Sequence, residues 1–219
     1  MPNLRPVTAE GTGRTRRRGR PAGQRSEDTR ARVLAAARTR FSATGYERTS
    51  LADIAQAAGI TPRALYHYVA SKPELFAEVM MATLDRMGEE VLRRVLPQAD
   101  TRARLRALVD VFRTLHDEDP ALVAFFGVVV VEARSNPAVR ARLGDDGGVP
   151  AAITRSIVTV GLDDGDLAAD VDPDGAVALI EAIGVGITLL AGADDPEFVA
   201  ALDVLERFID GTLFAPPPA

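Results

Sequence analysis

The stretch from Ser50 to Leu75, SLADIAQAAGITPRALYHYVASKPEL, carries three helix starts within 26 residues, and this spacing restricts the fold more than any other feature. Ser50 is a cap residue followed three positions later by Asp53, a capping-box pattern. Leu51, Ile54, Ala55 and Ala58 then fall on one helical face, and Gly59 suits a helix end because positive φ costs it nothing. Thr61 caps again, with Pro62 at the first helical position, where its missing N–H is no loss. Ser71-Lys72-Pro73-Glu74 repeats the pattern and opens a longer helix. Two short helices joined by a tight turn and followed by a third predict a helix-turn-helix.

The outward residues of the second helix suit a nucleic acid. Leu65 faces inward, while Arg63, Tyr66 and His67 face outward. Residues at the start of such a helix reach base edges in the major groove, here Thr61, Pro62, Arg63 and Ala64. Arg63 can fork onto guanine O6 and N7, and Ala64 can touch a thymine methyl. Tyr66, His67 and Lys72 are candidates for phosphate contacts, which fix register without reading sequence. Thr49 and Ser50, with the N–H groups that open the helix after them, are a further phosphate candidate. The competing reading is a helix pair that only packs locally in an all-helical protein.

Ile54-Ala55, Ala58-Gly59-Ile60, Ala64-Leu65-Tyr66-His67-Tyr68 and Ser71-Lys72 followed by Glu74-Leu75 resemble the DNA-binding domain of the TetR family of bacterial transcriptional regulators. The likeness extends back through Thr29 to Thr44 and Gly45-Tyr46, about a quarter of the chain. Val69-Ala70 stands where the family often has Phe-Pro, and Pro73 where it often has an acidic residue. The resemblance implies a homodimer, a pseudo-palindromic operator in double-stranded DNA, and a body that holds a small molecule able to separate or twist the two heads.

The charge distribution agrees with a division of labour. Residues 1–75 hold 14 Lys and Arg against 6 Asp and Glu, a charge of +8, while the remainder hold 12 against 25, a charge of −13. A basic head meets a polyanion; an acidic body is repelled by one. Residues 1–25 are rich in Arg, Gly, Thr and Pro with too few apolar residues to pack, so a disordered basic arm is expected there. Its Arg18-Gly19-Arg20-Pro21 resembles the AT-hook, in which Arg18 and Arg20 would enter a narrow A·T-rich minor groove. A solvated tail that binds phosphates without preference is the alternative.

From Ser26 the pattern predicts a helix with Val33, Leu34, Ala37 and Phe41 inside, ended by Gly45. The helix opened by Ser71 continues through Leu75, Phe76, Val79, Met80 and Leu84 towards Leu96-Pro97. Beyond it, Asp119-Pro120, Asn136-Pro137, Asp172-Pro173 and Asp195-Pro196 each place a cap before a proline suited to a first turn. Val128 to Val131 is β-branched, but its neighbours are helical and no partner strand is visible, so a buried helix is expected. Gly144–Gly148 and Gly161–Asp166 read as loops. The fold class is therefore all-α: a helix-turn-helix domain over residues 26–75, a helical domain over 76–214, and a disordered tail over 215–219. Helices over 173–191 and 196–214 correspond to those that form the family's four-helix dimer interface. The first is apolar almost all round and spaces Ala182 and Gly186 for close approach.

Catalytic and metal constellations were sought and set aside. His116-Asp117-Glu118-Asp119 cannot turn four consecutive side chains to one ion from a regular helix, and Asp163-Asp164-Gly165-Asp166 lacks the spacing and final Glu of a calcium loop. No enzyme activity, metal or cofactor is expected. The chain has no cysteine, no apolar run long enough to span a bilayer and no signal-peptide pattern, so a cytoplasmic protein without membrane contact is expected. For the effector that the resemblance implies, the apolar candidates are Leu105, Leu108, Phe112, Phe125, Phe126, Val129, Ile153, Ile157 and Ile187. The polar candidates are His116, Glu132 and Arg134.

Overall fold

The computed structural model describes residues 22–143, 148–192 and 196–214, and among these residues no strand occurs. The described residues form α1 (Ala22–Arg48), α2 (Leu51–Ala57), α3 (Pro62–Leu65), α4 (Lys72–Arg94), α5 (Thr101–Glu118), α6 (Pro120–Ser135), α7 (Pro137–Leu143), α8 (Gly148–Asp163), α9 (Pro173–Thr188) and α10 (Pro196–Ile209). No single described helix is long and apolar enough to cross a membrane.

The head is α1, α2, α3 and the first turns of α4. Ser50 and Asp53 make the full capping box, the hydroxyl accepting from Asp53 N at 3.1 Å and the carboxylate from Ser50 N at 3.3 Å. These bonds, the one to the Ser50 side chain foremost, hold the Asp53 carboxyl below its usual range. Gly59 ends this segment at φ +69°, and Thr61 accepts from Ala64 N to open α3. Ser71 caps α4 by accepting from Glu74 N. Val33, Ala37, Phe41, Ile54, Ala55, Leu65 and Leu75 are fully buried between these elements. Two boundaries differ from expectation. The first helix begins at Ala22, inside the stretch expected to be a disordered arm; Gly45, in a non-helical conformation (φ +77°, ψ 171°), breaks it as expected, and a short helical piece follows to Arg48. α4 passes through the expected 75–76 boundary without interruption, so the same helix serves head and body.

In the body, each proline-led helix starts where it was expected, at Pro120, Pro137, Pro173 and Pro196. The caps are not uniform. Asp172 accepts from Gly175 N at 2.8 Å and Asn136 from Ala138 N and Val139 N, whereas Asp119 caps nothing and pairs with Arg38 of α1. Asp195 lies outside the described residues. Val128 to Val131 is helical, within α6. Gly161, expected in a loop, is buried inside α8. A Cβ there would collide with the Thr101 hydroxyl and crowd Leu167, so this glycine lets α8 lie against the start of α5. Of the expected loop at Gly144–Gly148, residues 144–147 lie outside the described residues and Gly148 already opens α8.

Two sets of contacts fasten the body. Arg106 pairs with Asp210, and Arg113 with Asp203 and Glu206, tying α5 to α10. Glu90, whose side chain is 3% exposed, is held by Arg86, Arg93 and Arg94 on its own helix, and Arg86 reaches on to Glu118 of α5. The bond from Arg86, foremost among these, keeps the Glu90 carboxyl below its ordinary value of 4.5. A buried charge without such partners would neutralise itself instead.

Candidate nucleic-acid interface and effector cavity

α3 turns Leu65 into the core and leaves Thr61, Pro62 and Arg63 exposed, with Ala64 half-buried behind them. Tyr66 and His67 follow in the turn after α3 and are also exposed, Tyr66 by 61%. The residues expected to meet base edges therefore share one open surface. The buried Leu65 behind them, the Thr61 cap and the Pro62 φ constraint give this surface a rigid backbone.

The expected phosphate contacts fare unevenly. Thr49 is buried, its hydroxyl 2.7 Å from Gly45 O, 3.2 Å from Arg40 O and 2.8 Å from the Thr44 hydroxyl. It satisfies carbonyls freed by the kink in α1, so its hydroxyl is not available to a phosphate. Ser50 is exposed, but its hydroxyl lies 2.6 Å from the Asp53 carboxylate, an anion that opposes a phosphate at the same helix start. Lys72 is half-buried. Its Nζ donates to Glu47 O at 3.1 Å and lies 4.4 Å from the centre of the Tyr46 ring. Sequence alone gave Lys72 a free role; its main visible work is to tie α4 to the end of α1. Arg18 and Arg20 lie outside the described residues.

Within the body, a cavity of about 210 Å³ is bounded by α4, α5, α6, α7, α8 and α9. Five of the twelve expected residues line it: Leu108, Phe112, Phe126, Val129 and Ile153. The others do not, for reasons that differ. His116 is buried on the far side of α5, stacked on Phe198 with ring centres 4.2 Å apart and its Nε2 3.2 Å from Gly192 O. Phe125 faces the head, 6.1 Å from Phe41 and 5.3 Å from Phe76 between ring centres. Arg134 is exposed near the end of α6, where its carbonyl accepts from Arg140. Ile157 and Ile187 are buried in the packed core outside the cavity wall, and Leu105 and Glu132 also stand outside it.

Sequence reading missed the α4 wall (Leu84, Met87, Gly88, Val91) and the α9 wall (Ile180, Glu181, Gly184, Val185). A usable signal was present in the small residues. Gly88 and Gly184 meet nothing within 4 Å of an added Cβ, and Ala133 and Ala151 join them around the same space. By contrast, a Cβ at Gly127 would strike the Thr188 side chain, so that glycine serves close packing of α6 on α9.

α6 connects the cavity to the head. Phe125 packs into the Phe41–Tyr46–Phe76 cluster, and the next residue, Phe126, lies against the cavity beside Phe112. Glu132, about two α6 turns farther on, acts on Tyr46: burial first, then Glu47 and Glu132, raise the phenol above its usual range. The Arg38–Asp119 pair closes the junction at the start of α6.

The comparisons with known proteins divide the chain along the same lines. Residues 33–79 match the model of bacterial regulatory proteins of the tetR family, and residues 101–213 match that of the BetI-type transcriptional repressor, C-terminal. The HTH-type transcriptional regulator AcrR of Shigella flexneri is 31% identical over 110 residues, 42% of this chain and 51% of that one. The HTH-type transcriptional repressor KstR2 of Rhodococcus jostii is 33% identical over 105 residues, 48% of this chain and 49% of that one. The chain thus spans about half the length of these curated relatives. Among solved structures, Salmonella enterica GusR superposes with a TM-score of 0.60 at 26% identity, covering 85% of this chain and 95% of that one. FadR of Bacillus subtilis, solved in complex with stearoyl-CoA, shares the fold with a TM-score of 0.66 at 18% identity, covering 84% and 99%. With a helix-turn-helix at its head and a matching helical body over more than half its length, the chain belongs to the TetR family of bacterial transcriptional regulators.

Proposed function

We propose that this chain is a homodimeric repressor that reads a pseudo-palindromic operator with one α3 from each copy and leaves it when a small molecule occupies the cavity. In this reading a basic arm precedes α1, which begins at Ala22 and not at the expected residue 26, and is followed by a DNA-binding head to residue 75, an effector and dimerisation body over 76–214 and a tail over 215–219. The observation that carries the reading is the placement of Phe125 and Phe126, neighbours on α6 that pack into the head and against the cavity respectively. A helix packed on both sides passes a shift at one to the other, because close-packed interiors do not absorb displacements gradually.

The dimer is supported by what α9 and α10 leave uncovered. Leu179, Ala182, Gly186 and Leu189 are exposed on α9 and just beyond its end, at steps of three, four and three. Val204 and Phe208 are exposed on α10, four residues apart. Such spacing forms a seam along one side of a helix, and a contiguous apolar seam in water marks an interaction surface. Two copies facing each other through these helices would make a four-helix bundle. Its two-fold symmetry would demand two-fold symmetry in the operator.

The alternative, a constitutive regulator without effector, would be favoured by a fully packed body; the cavity argues for the first reading. Footprinting of the purified protein on its own promoter tests the proposal. An inverted repeat should be protected, and Arg63→Ala should weaken binding by about 1–3 kcal/mol if the guanidinium reads guanine. Absence of a protected repeat would remove the operator reading. A metabolite and drug screen in which stabilising compounds never loosen DNA binding would favour the constitutive alternative.

A further inference from the structure

A second hollow, of about 360 Å³, lies along α4, and Leu84, Gly88 and Leu143 stand in the walls of both it and the cavity. Gly88 contributes no side chain to this partition, so the outer hollow is the natural approach to the inner one. The charges along this path are mostly acidic. Asp85 and Glu89, four apart on α4, line the outer hollow with Arg142, and Glu181 lines the inner cavity. Among the described residues, none of these four makes an ion pair or side-chain hydrogen bond, and no Lys, Arg or His lines the inner cavity.

We propose that the effector is a compact amphiphile with a cationic head, a proposal that rests on the effector reading above. Its apolar body fits against Phe112 and Phe126, and its cation is met by Glu181, with Asp85 and Glu89 drawing it along the approach. An anionic head would meet Arg142 in the outer hollow but no cation in the inner cavity, and burying a charge without a partner is strongly unfavourable. The two phenyl rings favour a cation further, since an aromatic face attracts positive charge. The cavity is below the roughly 300–1,000 Å³ of drug-sized sites, so one ring or a short chain suits it better than a long acyl tail.

Three probes with one apolar body separate the charges: 3-phenylpropyltrimethylammonium, 3-phenylpropanol and 3-phenylpropanoate, titrated calorimetrically into the full-length protein. The ammonium should bind about tenfold more tightly than the alcohol, and the carboxylate most weakly. In Glu181→Gln, and again in the double variant Asp85→Asn/Glu89→Gln, the ratio of ammonium to alcohol affinity should fall. With all three changes combined it should drop below about twofold. Gly184→Leu, which fills space that a Cβ meets empty, should weaken all three probes. Circular dichroism confirms that each variant remains folded; Glu181, Asp85 and Glu89 are all exposed, so their isosteric amides do not disturb the core. A carboxylate that binds as well as the ammonium, or an ammonium advantage that survives the triple change, overturns the cationic assignment. If that happens while Gly184→Leu still abolishes binding, the effector reading stands without it. If no probe binds, or Gly184→Leu leaves binding intact, the cavity is not the site and both readings fall.

Discussion

Truncating each of two adjacent phenylalanines to alanine should have very different consequences. Phe125 is fully buried and stands within aromatic contact distance of two rings, Phe41 and Phe76. Removing a buried phenyl group costs about 3–5 kcal/mol, and the two lost ring pairs push this position towards the upper end. Phe126 is 9% exposed and borders a cavity of about 210 Å³, so part of its surface already has no protein atom to lose. Its truncation should cost about 2–3 kcal/mol, because a side chain facing a void forfeits contacts on one side only. The expected gap of about 2 kcal/mol corresponds to roughly 4–8 °C in Tm for a chain of this length. Melting curves followed by far-ultraviolet circular dichroism, at one protein concentration so that association contributes equally, measure it directly. If Phe126→Ala melts at or below Phe125→Ala, the two residues do not occupy opposite environments, and the route from cavity to head through α6 loses its basis.

Glu90→Gln should destabilise the protein by about 3 kcal/mol near neutral pH, since it leaves three arginines without their shared carboxylate. Because folding lowers the Glu90 pKa, the unfolded chain binds more protons as pH falls below about 4.5. The stability that Glu90 supplies is therefore present above that value and lost below it, so acid titration should be shallower in the variant than in the native protein. Gly161→Ala should lower Tm despite alanine's better helix propensity, because its methyl group meets Thr101 and Leu167; a raised Tm would show that α8 can shift away from α5. Deleting Met1 to Arg20 removes six arginines per subunit and should flatten the salt dependence of operator binding in filter-binding titrations, at a slope of about 0.9 per lost phosphate contact. Greater loss on A·T-rich than on G·C-rich flanks would support minor-groove entry by Arg18 and Arg20, and equal loss would leave a non-specific tail.

The parts of the fold that are local in origin were legible in the sequence. Ser50, Thr61 and Ser71 cap the helices they were expected to cap, because a cap is decided by residues three positions apart. The four proline-led helix starts follow for the same reason. What failed depended on partners far along the chain. Asp119 has the residue type and spacing of a cap, yet Arg38, 81 positions away, takes its carboxylate. Gly161 looks like a loop residue until Thr101 is brought beside it, and Thr49 looks like a phosphate ligand until the kink at Gly45 turns carbonyls towards it. The cavity was half legible: an apolar stripe shows which residues face inward, and leaves undetermined whether the interior opposite them is filled. Phe125 and Ile157 met neighbours, whereas Phe126 and Val129 met space left by glycines and alanines on other helices.

That distribution of space bears on how an effector could act. A ligand shifts an equilibrium only by the difference in its affinity for two conformations, and a 100-fold preference supplies about 2.7 kcal/mol. The preference has to reach α3, which makes no contact with the cavity. It packs on α2, which packs on α1, and α1 in turn packs on α4; these last two are each tied to a cavity helix: α1 to α6 by Phe41–Phe125 and Arg38–Asp119, while α4 itself supplies Leu84, Met87, Gly88 and Val91 to the wall. α4 is tied to α1 by Lys72, bonded to Glu47 O and set over Tyr46, by the Arg30–Glu78 ion pair and by Phe76 packed on Phe41 and Tyr46, so the head moves with α4 as one body. On the proposed reading, a molecule that widens the gap between α4 and α6 would therefore rotate the whole head, base-reading residues included, without altering the fit of α3 to its own half-site. Release would then come from the changed distance between two α3 helices in a dimer. An isolated half-site should accordingly be held equally well with and without effector, whereas the complete inverted repeat should be lost.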